Sequence, residues 1–184
     1  MRAKTLIGRA AVVLALALAA CAPAISTGIN TAPDLKPAAY RTFTWDMPDQ
    51  FPTGDPRLDN NPFFMRELQN AVALQMQTVG LREVSGDADL TVHFHATVRN
   101  RVEVFEADQR AGYVQPGSHT QIHEFEEGTI LVDVAERTSR RMIWRGWLQT
   151  DVTGAIEDNA ELTNRVRRGM TELFKKFPMT VVAK

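Results

Sequence analysis

The first hydrophobic pattern along the chain is a short apolar run behind a basic start. Residues 10–20 are apolar throughout and follow three basic side chains within the first nine residues. A transmembrane helix needs ~20 apolar residues, whereas the apolar part of a signal peptide needs only ~7–15. The run ends in Leu18-Ala19-Ala20-Cys21, with small residues before the cysteine. The pattern therefore predicts an export signal over residues 1–20 that is cleaved before Cys21.

Behind this signal, the pattern changes from irregular to periodic. Residues 21–36 are rich in Ala, Pro, Ser, Thr and Gly without an apolar period, which predicts a flexible tether. Period-two alternation then predicts strands at 40–45, 90–104, 129–135 and 142–152, with a short one at 81–84. Spacing of 3.6 residues predicts two amphipathic helices, one from Pro62 to about Val79 and one from about Asp158 to Phe177.

The order of these elements predicts a mixed α/β fold of the α+β type over residues 37–184. Two amphipathic helices can cover one face of a mainly antiparallel sheet, which gives a two-layer sandwich in a single domain. The side chains expected between the layers are Phe43, Trp45, Leu68, Val72, Val92, Phe94, Ile130, Val132, Trp144, Leu148, Val166, Met170 and Phe174.

Composition and charge limit the classes of molecule that the protein is expected to bind. The chain of 184 residues is 44% hydrophobic and 23% charged, as expected for one globular domain with a targeting segment. The formal net charge is -1, and removing residues 1–20, which hold three basic residues and no acid, makes it -4. Nucleic acid is not expected as a partner, because phosphate binding requires clustered positive charge. Cys21 is the only cysteine, so its modification would leave no thiol for a disulfide, a metal site or a nucleophile.

The sequence around Cys21 resembles the lipobox of bacterial lipoproteins, in which leucine stands three places before the cysteine. This resemblance implies diacylglycerol on the thiol, cleavage, and acylation of the new amino group, so that several chains anchor the protein to a membrane. The alternative is an ordinary signal peptide that is followed by a cysteine. Ala22 stands where aspartate would imply retention at the inner membrane. The resemblance thus implies the inner leaflet of the outer membrane, facing the periplasm.

Short motifs in the rest of the chain resemble a bacterial lipoprotein family known as domain of unknown function 4136. In chain order they are Tyr40-Arg41-Thr42-Phe43-Thr44-Trp45, Asp89-Leu90, Glu127-Gly128-Thr129, Val132-Asp133, Trp144-Arg145-Gly146 and Lys176-Phe177-Pro178. The resemblance implies a cell-envelope lipoprotein with an α/β fold, and it implies no activity. Residues 102–123 depart from the family pattern.

Histidine offers the sharpest candidate chemistry. His93 and His95 point the same way from one predicted strand, a spacing that can chelate zinc or copper. If the following segment pairs back beside that strand, His119 or His123 could supply a third ligand. The alternative is that all four histidines are polar residues on a solvated face. A metal-binding protein, or a small hydrolase that uses this cluster, is therefore one hypothesis for function.

Other charged residues carry weaker signals. No nucleophile elbow, zinc-protease, nucleotide-binding or dinucleotide-binding motif is present, and the sequence predicts no cofactor and no enzyme. Acidic residues cluster in sequence without such a context at Glu124, Glu126, Glu127 and Asp133. The last helix carries basic residues that could contact anionic lipid head groups or form a solvated helix face: Arg165, Arg167, Arg168, Lys175 and Lys176.

Three large apolar residues fall on the strand positions that should face away from both helices. They are Leu131, Ile143 and Trp147. A wet sheet face should be polar, and contiguous exposed apolar surface usually marks an interaction site. The alternative is that the long connection Glu106–His123 folds over them, with Tyr113 or Val114 packing on Trp147. The leading hypothesis is therefore a lipid-anchored, non-enzymatic envelope module that presents this face to another protein or an envelope polymer.

Overall fold

The computed structural model describes residues 23–46, 51–59, 61–105 and 121–178. Its strands are β1 (Ile25–Thr31), β2 (Thr42–Trp45), β3 (Arg82–Glu83), β4 (Leu90–Phe105), β5 (Gln121–Glu136) and β6 (Met142–Asp151). The helices are α1 (Pro62–Thr78) and α2 (Asn159–Phe174), with a 3-10 turn at Pro37–Ala39. In these ranges no helix is both long and apolar enough to cross a membrane. The expected signal segment and Cys21 lie outside the described residues.

The six strands form one open sheet in the order β1-β6-β5-β4-β2-β3. Neighbours from β1 to β4 are antiparallel, whereas β2 runs parallel to both β3 and β4. The buried residues of both helices join one hydrophobic core with the buried side chains of the sheet. The predicted α+β sandwich, with a mainly antiparallel sheet and two helices on one face, is confirmed.

Both helices begin at side-chain caps that satisfy free backbone N–H groups. Asn61 accepts hydrogen bonds from the N–H groups of Phe63 and Phe64, and Asp158 accepts them from Ala160 and Glu161. Pro62 occupies the first turn of α1, where no backbone N–H is needed. Gly80, at φ +92°, ends α1 in the left-handed conformation that glycine adopts without strain.

The core follows the predicted inward pattern except at the end of β2. Every residue of the predicted inward set is buried apart from Trp45 and Phe94, which are only partly buried and pack against the core. Their rings meet edge to face, with centroids 5.8 Å apart. The predicted alternation of residues between the two faces of the sheet is therefore right along β4 and β5, and along β6 except at Ile143.

The prediction of a flexible tether over residues 21–36 is wrong. Ile25–Thr31 forms β1, which pairs antiparallel with β6 from Ile25 opposite Thr150 to Thr31 opposite Trp144. The segment has few large apolar side chains because it is an edge strand, and its stability comes from hydrogen bonds to β6 that composition does not reveal. The folded domain therefore begins before residue 37.

Trp144 is the largest fully buried side chain, and a glycine makes room for it. Its ring lies 5.4 Å from that of Phe174 and 4.8 Å from that of Phe177, measured between centroids. Trp144 and Gly146 share one face of β6, and a Cβ atom on Gly146 would fall 2.3 Å from Trp144 Cη2. The Trp144-Arg145-Gly146 and Lys176-Phe177-Pro178 motifs thus meet in one aromatic cluster.

A polar network joins the end of β5 to the segment before β2. The Tyr40 hydroxyl and Arg141 Nη2 both donate to Glu136 Oε1, at 2.6 Å and 2.8 Å, and the Ser139 hydroxyl donates to Oε2. Hydrogen bonds from Arg141, Ser139 and Tyr40 lower the pKa of Glu136 to about 2. Burial, together with the hydrogen bond to this carboxylate, raises the pKa of Tyr40 to about 12.

Asp89 ties the start of β4 to the start of β2. Its Oδ2 accepts hydrogen bonds from the backbone N–H groups of Arg41 and Thr42, at 2.7 Å and 2.9 Å, and from the Thr42 hydroxyl. Burial raises the pKa of Asp89, but these hydrogen bonds outweigh it and the pKa is lowered overall. Because β2 and β4 run parallel, this contact fixes their common starting level in the sheet.

We expect Gly146→Ala to lower the free energy of unfolding by ~1–3 kcal/mol, because overpacking a filled core forces side chains out of their rotamers. Urea denaturation would measure the loss. A double-mutant cycle with Trp144→Phe provides the control, since the smaller ring should absorb part of the added methyl group. Strictly additive effects of the two substitutions would contradict this account of the glycine.

We expect Glu136→Gln to remove a pH-dependent part of the stability. The folded-state pKa of about 2 lies below the ordinary value of 4.5. The ionised carboxylate therefore stabilises the fold above the ordinary value, and this contribution is lost as the pH falls through the folded-state pKa. The free energies of unfolding of wild type and variant, measured by urea denaturation, should differ near neutral pH and converge in strong acid. Glu103→Gln, at an exposed position near the end of β4, should leave the free energy of unfolding unchanged both near neutral pH and in strong acid.

Candidate functional site

The face of the sheet that points away from the helices is the candidate site. Alternation along the strands places Leu131, Trp147 and His95 on this face, opposite in parity to the buried Val132, Trp144 and Val92. We call it the open face, because in the described residues the helices pack only on the other side. Two of the three residues predicted for a partner face, Leu131 and Trp147, lie on it.

A row of aromatic and apolar residues crosses the open face from edge to edge. Gly28 of β1 pairs with Trp147, Trp147 with Leu131, and Leu131 with His95. At the far end, the ring of Phe51 stands edge-on to that of His95, with centroids 6.1 Å apart. Phe51 is 75% exposed and Trp147 is 36% exposed. We call these five residues the cross-sheet strip.

Gly28 is the member that positions Trp147. A Cβ atom on Gly28 would fall 2.1 Å from Trp147 Cζ2 and 2.4 Å from Cε2, so the indole ring occupies the space above the glycine. An aromatic side chain laid across a glycine on the neighbouring strand covers the backbone that the glycine leaves bare. The sequence analysis missed this residue because it assigned residues 21–36 to a tether. The alternation of Ile25, Thr27 and Ile29 was the signal that could have revealed the strand.

Polar rows flank the cross-sheet strip on both sides. On one side, Arg145 Nε and Nη2 donate to the two carboxylate oxygens of Asp133, at 2.6 Å and 2.7 Å, and this bidentate bond raises the pKa of Arg145. On the other side, Gln149 Nε2 donates to the Thr129 hydroxyl at 3.4 Å. An apolar centre with a polar rim is the usual anatomy of a protein interface.

The prediction that Ile143 lies on the open face is wrong. The β5–β6 register shifts between Val134, which pairs with Trp144, and Ala135, which pairs with Met142. Ile143 is the extra residue of this bulge, and its side chain is fully buried in the hydrophobic core. The bulge therefore gives β6 two consecutive buried residues, an irregularity that strict alternation cannot predict.

The structure does not assemble the proposed histidine cluster. His93 and His95 share the open face as predicted, and His93 lies opposite Asp133, which is already bonded to Arg145. His123 pairs with Glu103, eight residues beyond His95 along β4, which separates the two histidines by ~27 Å at ~3.4 Å per residue. His119 lies outside the described residues. In the described part of the chain, no group of three His, Cys, Asp or Glu side chains could hold a metal ion.

Beyond the end of β6, strands β4 and β5 continue alone as a two-stranded ribbon. Asp151, the last residue of β6, pairs with Glu127, so residues 100–105 and 121–126 extend past the end of β6. We call this ribbon the arm. Val102 on it is 59% exposed. The arm starts two residues beyond Val98, which lies at the level of Ile25 at the beginning of β1.

A cleft of about 380 Å³ lies at the base of the arm, and most of the charged residues that line it form ion pairs. Arg57 donates to Asp55, Glu126 and Glu157, and Arg101 lies 3.3 Å from Glu127. The contacts of Arg57 hold the 51–59 loop against the arm.

The comparisons with known proteins point to a family without an assigned activity. A family model described as "Domain of unknown function (DUF4136)" matches residues 26–179, and its match begins within β1. Among curated proteins none matches the chain. The matched range covers both helices and nearly the whole sheet, in agreement with the family motifs found in the sequence.

Solved structures give a fold likeness at low identity. A PDZ domain protein from Parabacteroides distasonis has a TM-score of 0.54 at 12% identity, over 88% of this chain and 37% of that one. This chain therefore spans little more than a third of that protein, and the likeness concerns the fold alone. A DUF4136 family protein from Bacteroides thetaiotaomicron has a TM-score of 0.44 at 11% identity, over 80% of this chain and 95% of that one. PelC from Paraburkholderia phytofirmans, crystallised as a dodecamer, has a TM-score of 0.42 at 8% identity, over the same shares.

We expect Gly28→Ala to displace the Trp147 ring without unfolding the protein, because that ring lies at the surface and can swing outward. Alanine also suits a strand better than glycine by ~0.5–1 kcal/mol, which offsets part of the lost contact. Acrylamide quenching of tryptophan fluorescence should increase, while the urea midpoint should change little. In a Trp147→Phe background the same Gly28→Ala change should leave quenching unaltered, and an increase there would contradict the assignment.

Proposed function

The chain belongs to the DUF4136 family, and on that premise we propose that it is a lipid-anchored protein of the cell envelope that binds a partner and catalyses no reaction. The anchor is the lipid on Cys21, in the inner leaflet of the outer membrane and facing the periplasm. The partner is another envelope protein or an envelope polymer. The open face of the sheet is the surface that binds it.

The observation that carries this proposal is the cross-sheet strip. It places Trp147, Leu131 and Phe51 in one line on a sheet face that should be polar. Tryptophan is enriched among the residues that dominate binding energy, especially where polar groups surround it. The Asp133–Arg145 pair and the Gln149–Thr129 pair supply such surroundings.

Residues 106–120, the part of the connection that could cover the strip, lie outside the described residues.

The non-enzymatic part of the proposal rests on how the charged side chains are used. On the open face Asp133 and Arg145 neutralise each other, and at the base of the arm Arg57 is shared by three carboxylates. Of the two histidines that could supply the third ligand, His123 stands far along the arm from His93 and His95, and His119 lies outside the described residues. A binding surface is thus the reading with the most support.

We expect Trp147→Ala to weaken partner binding with little loss of stability. A photo-crosslinking residue at Thr129, beside the strip, would report the contact in the native envelope. Removing a hot spot worth ~2 kcal/mol lowers affinity by ~30-fold, so the crosslinked yield should fall sharply. Leu74→Ala is the matched control, since Leu74 is 56% exposed on α1, and it should leave the yield unchanged. An equal yield with Trp147→Ala, or an unfolded Trp147→Ala protein, would count against the open face.

A further inference from the structure

Very little chain separates Cys21 from the folded domain. β1 begins at Ile25, four residues after the cysteine. Even fully extended, four residues span only ~14 Å. A lipid on Cys21 would therefore hold β1 close to the bilayer surface, instead of suspending the domain on a long tether.

A basic side chain of α2 and another just beyond its end fix this short segment to the body of the protein. Arg168 Nη2 donates to the carbonyl oxygen of Pro23 at 2.6 Å, two residues from Cys21. Lys176 Nζ donates to the carbonyl oxygen of Thr27, also at 2.6 Å. On the sheet side, the Thr150 hydroxyl donates to the carbonyl oxygen of Ala24. The chain thus leaves the domain along the edge where β1 meets α2.

We propose that this β1–α2 edge is the membrane-facing surface of the protein, with Arg168 and Lys176 against anionic lipid head groups and the sheet standing edge-on to the bilayer. The inference rests on the lipid anchor of the proposed function and adds to it the orientation of the domain. Of the five basic residues in and just after α2, it assigns the lipid contact to Arg168 and Lys176 alone.

The charges on the edge complement an anionic surface. In the described residues neither Arg168 nor Lys176 forms an ion pair with a carboxylate, since each binds a neutral backbone carbonyl. Their basic neighbours are neutralised differently, because Arg167 pairs with Glu67 and Lys175 pairs with Glu172. Cations close to the surface of a membrane that contains anionic lipids are attracted to it within about a Debye length.

The arm opposes an upright orientation, in which the strands would stand perpendicular to the bilayer. Ile25 and Val98 lie at the same level of the sheet, and Phe105 at the end of β4 lies ~24 Å beyond Val98. Because the segment from Ile25 to Cys21 spans only ~14 Å, an upright domain would push the end of the arm ~10 Å below the bilayer surface. Exposed Glu103, five residues beyond Val98, would then lie ~3 Å below that surface, among anionic head groups that repel its charge.

An edge-on domain leaves the open face accessible from the side. The cross-sheet strip then stands roughly perpendicular to the bilayer, and the arm runs parallel to its surface. A partner in the same membrane, or one lying along it, could meet Trp147 without displacing lipid. The membrane contact and the partner contact are in this way assigned to different surfaces of one sheet.

Single thiol labels on the mature lipidated protein test the orientation. Cys21 is the only native cysteine and is consumed by the lipid, so one added cysteine gives a unique label. The labels are Ile29→Cys on the edge, Leu74→Cys on α1, Thr97→Cys on the open face and Glu103→Cys on the arm. In nanodiscs of phosphatidylethanolamine and phosphatidylglycerol with a quencher on the head groups, we expect the Ile29 label to be quenched at least ~3-fold more than the others, because a segment of at most ~14 Å keeps β1 close to the head groups. Equal or stronger quenching at any other position would overturn the proposal.

A second experiment tests the contact of Arg168 and Lys176 with anionic head groups. In discs of phosphatidylethanolamine alone the Ile29 label should be quenched less, and Arg168→Gln with Lys176→Gln should abolish this dependence on phosphatidylglycerol. Arg66→Gln with Arg82→Gln removes two other exposed cations and should keep it. Equal quenching of wild type in both lipids would overturn the head-group contact. The mass of the N-terminal peptide separates the two proposals: an unmodified Cys21 would overturn the anchor and the orientation together, whereas a lipidated Cys21 with the wrong label pattern would overturn the orientation alone.

Discussion

The two helices are sufficient to bury one face of the sheet, and this one-sided burial is the constraint on which the rest of the structure depends. Each strand must place its large apolar residues on the helix side, because apolar surface stabilises the fold only when it is removed from water. Two tryptophans of β6 show the difference between the two faces, since Trp144 is on the buried face and Trp147 on the open face. Trp144 is buried between Phe174 and Phe177, and Trp147 lies at the surface across Gly28. Each indole lies over a glycine, but only the first contributes to the core.

β1 changes the meaning of the N-terminal segment. As an edge strand it covers the backbone of β6, extends the open face by one strand and supplies the glycine beneath Trp147. It also brings the predicted lipid attachment point to the corner where β1 meets α2. The same hydrogen bonds that add a sixth strand therefore remove the freedom expected of a tether, and under the proposed lipid anchor they would also orient the domain.

Sequence periodicity was a good guide wherever the hydrophobic core selects the side chains. It predicted β4, β6 and the second half of β5, both helices, their caps at Asp158 and Gly80, and the parity that puts Leu131 and Trp147 on the open face. It missed the first half of β5, residues 121–128. It failed where backbone hydrogen bonds decide the structure without a hydrophobic signal. β1 has the composition of a linker and is held by β6, and the bulge at Ile143 interrupts alternation for one residue. The bulge leaves no trace in the pattern of apolar positions, and β1 leaves only the short alternation of Ile25, Thr27 and Ile29.

The motifs that carry the family resemblance prove to be structural, and this bears on where function lies. Asp89 sets the level of β2 against β4, Gly146 accommodates Trp144, and Phe177 closes the aromatic cluster. Each holds the fold together at the helix side of the sheet or at its ends. Residues 102–123, which depart from the family pattern, include the outer part of the arm. A family whose shared motifs build one scaffold can vary its partners only on surfaces that the motifs leave unconstrained. No residue of the cross-sheet strip belongs to a motif, whereas Asp133 and Arg145 beside it do. The strip can therefore vary inside a polar rim that the motifs fix.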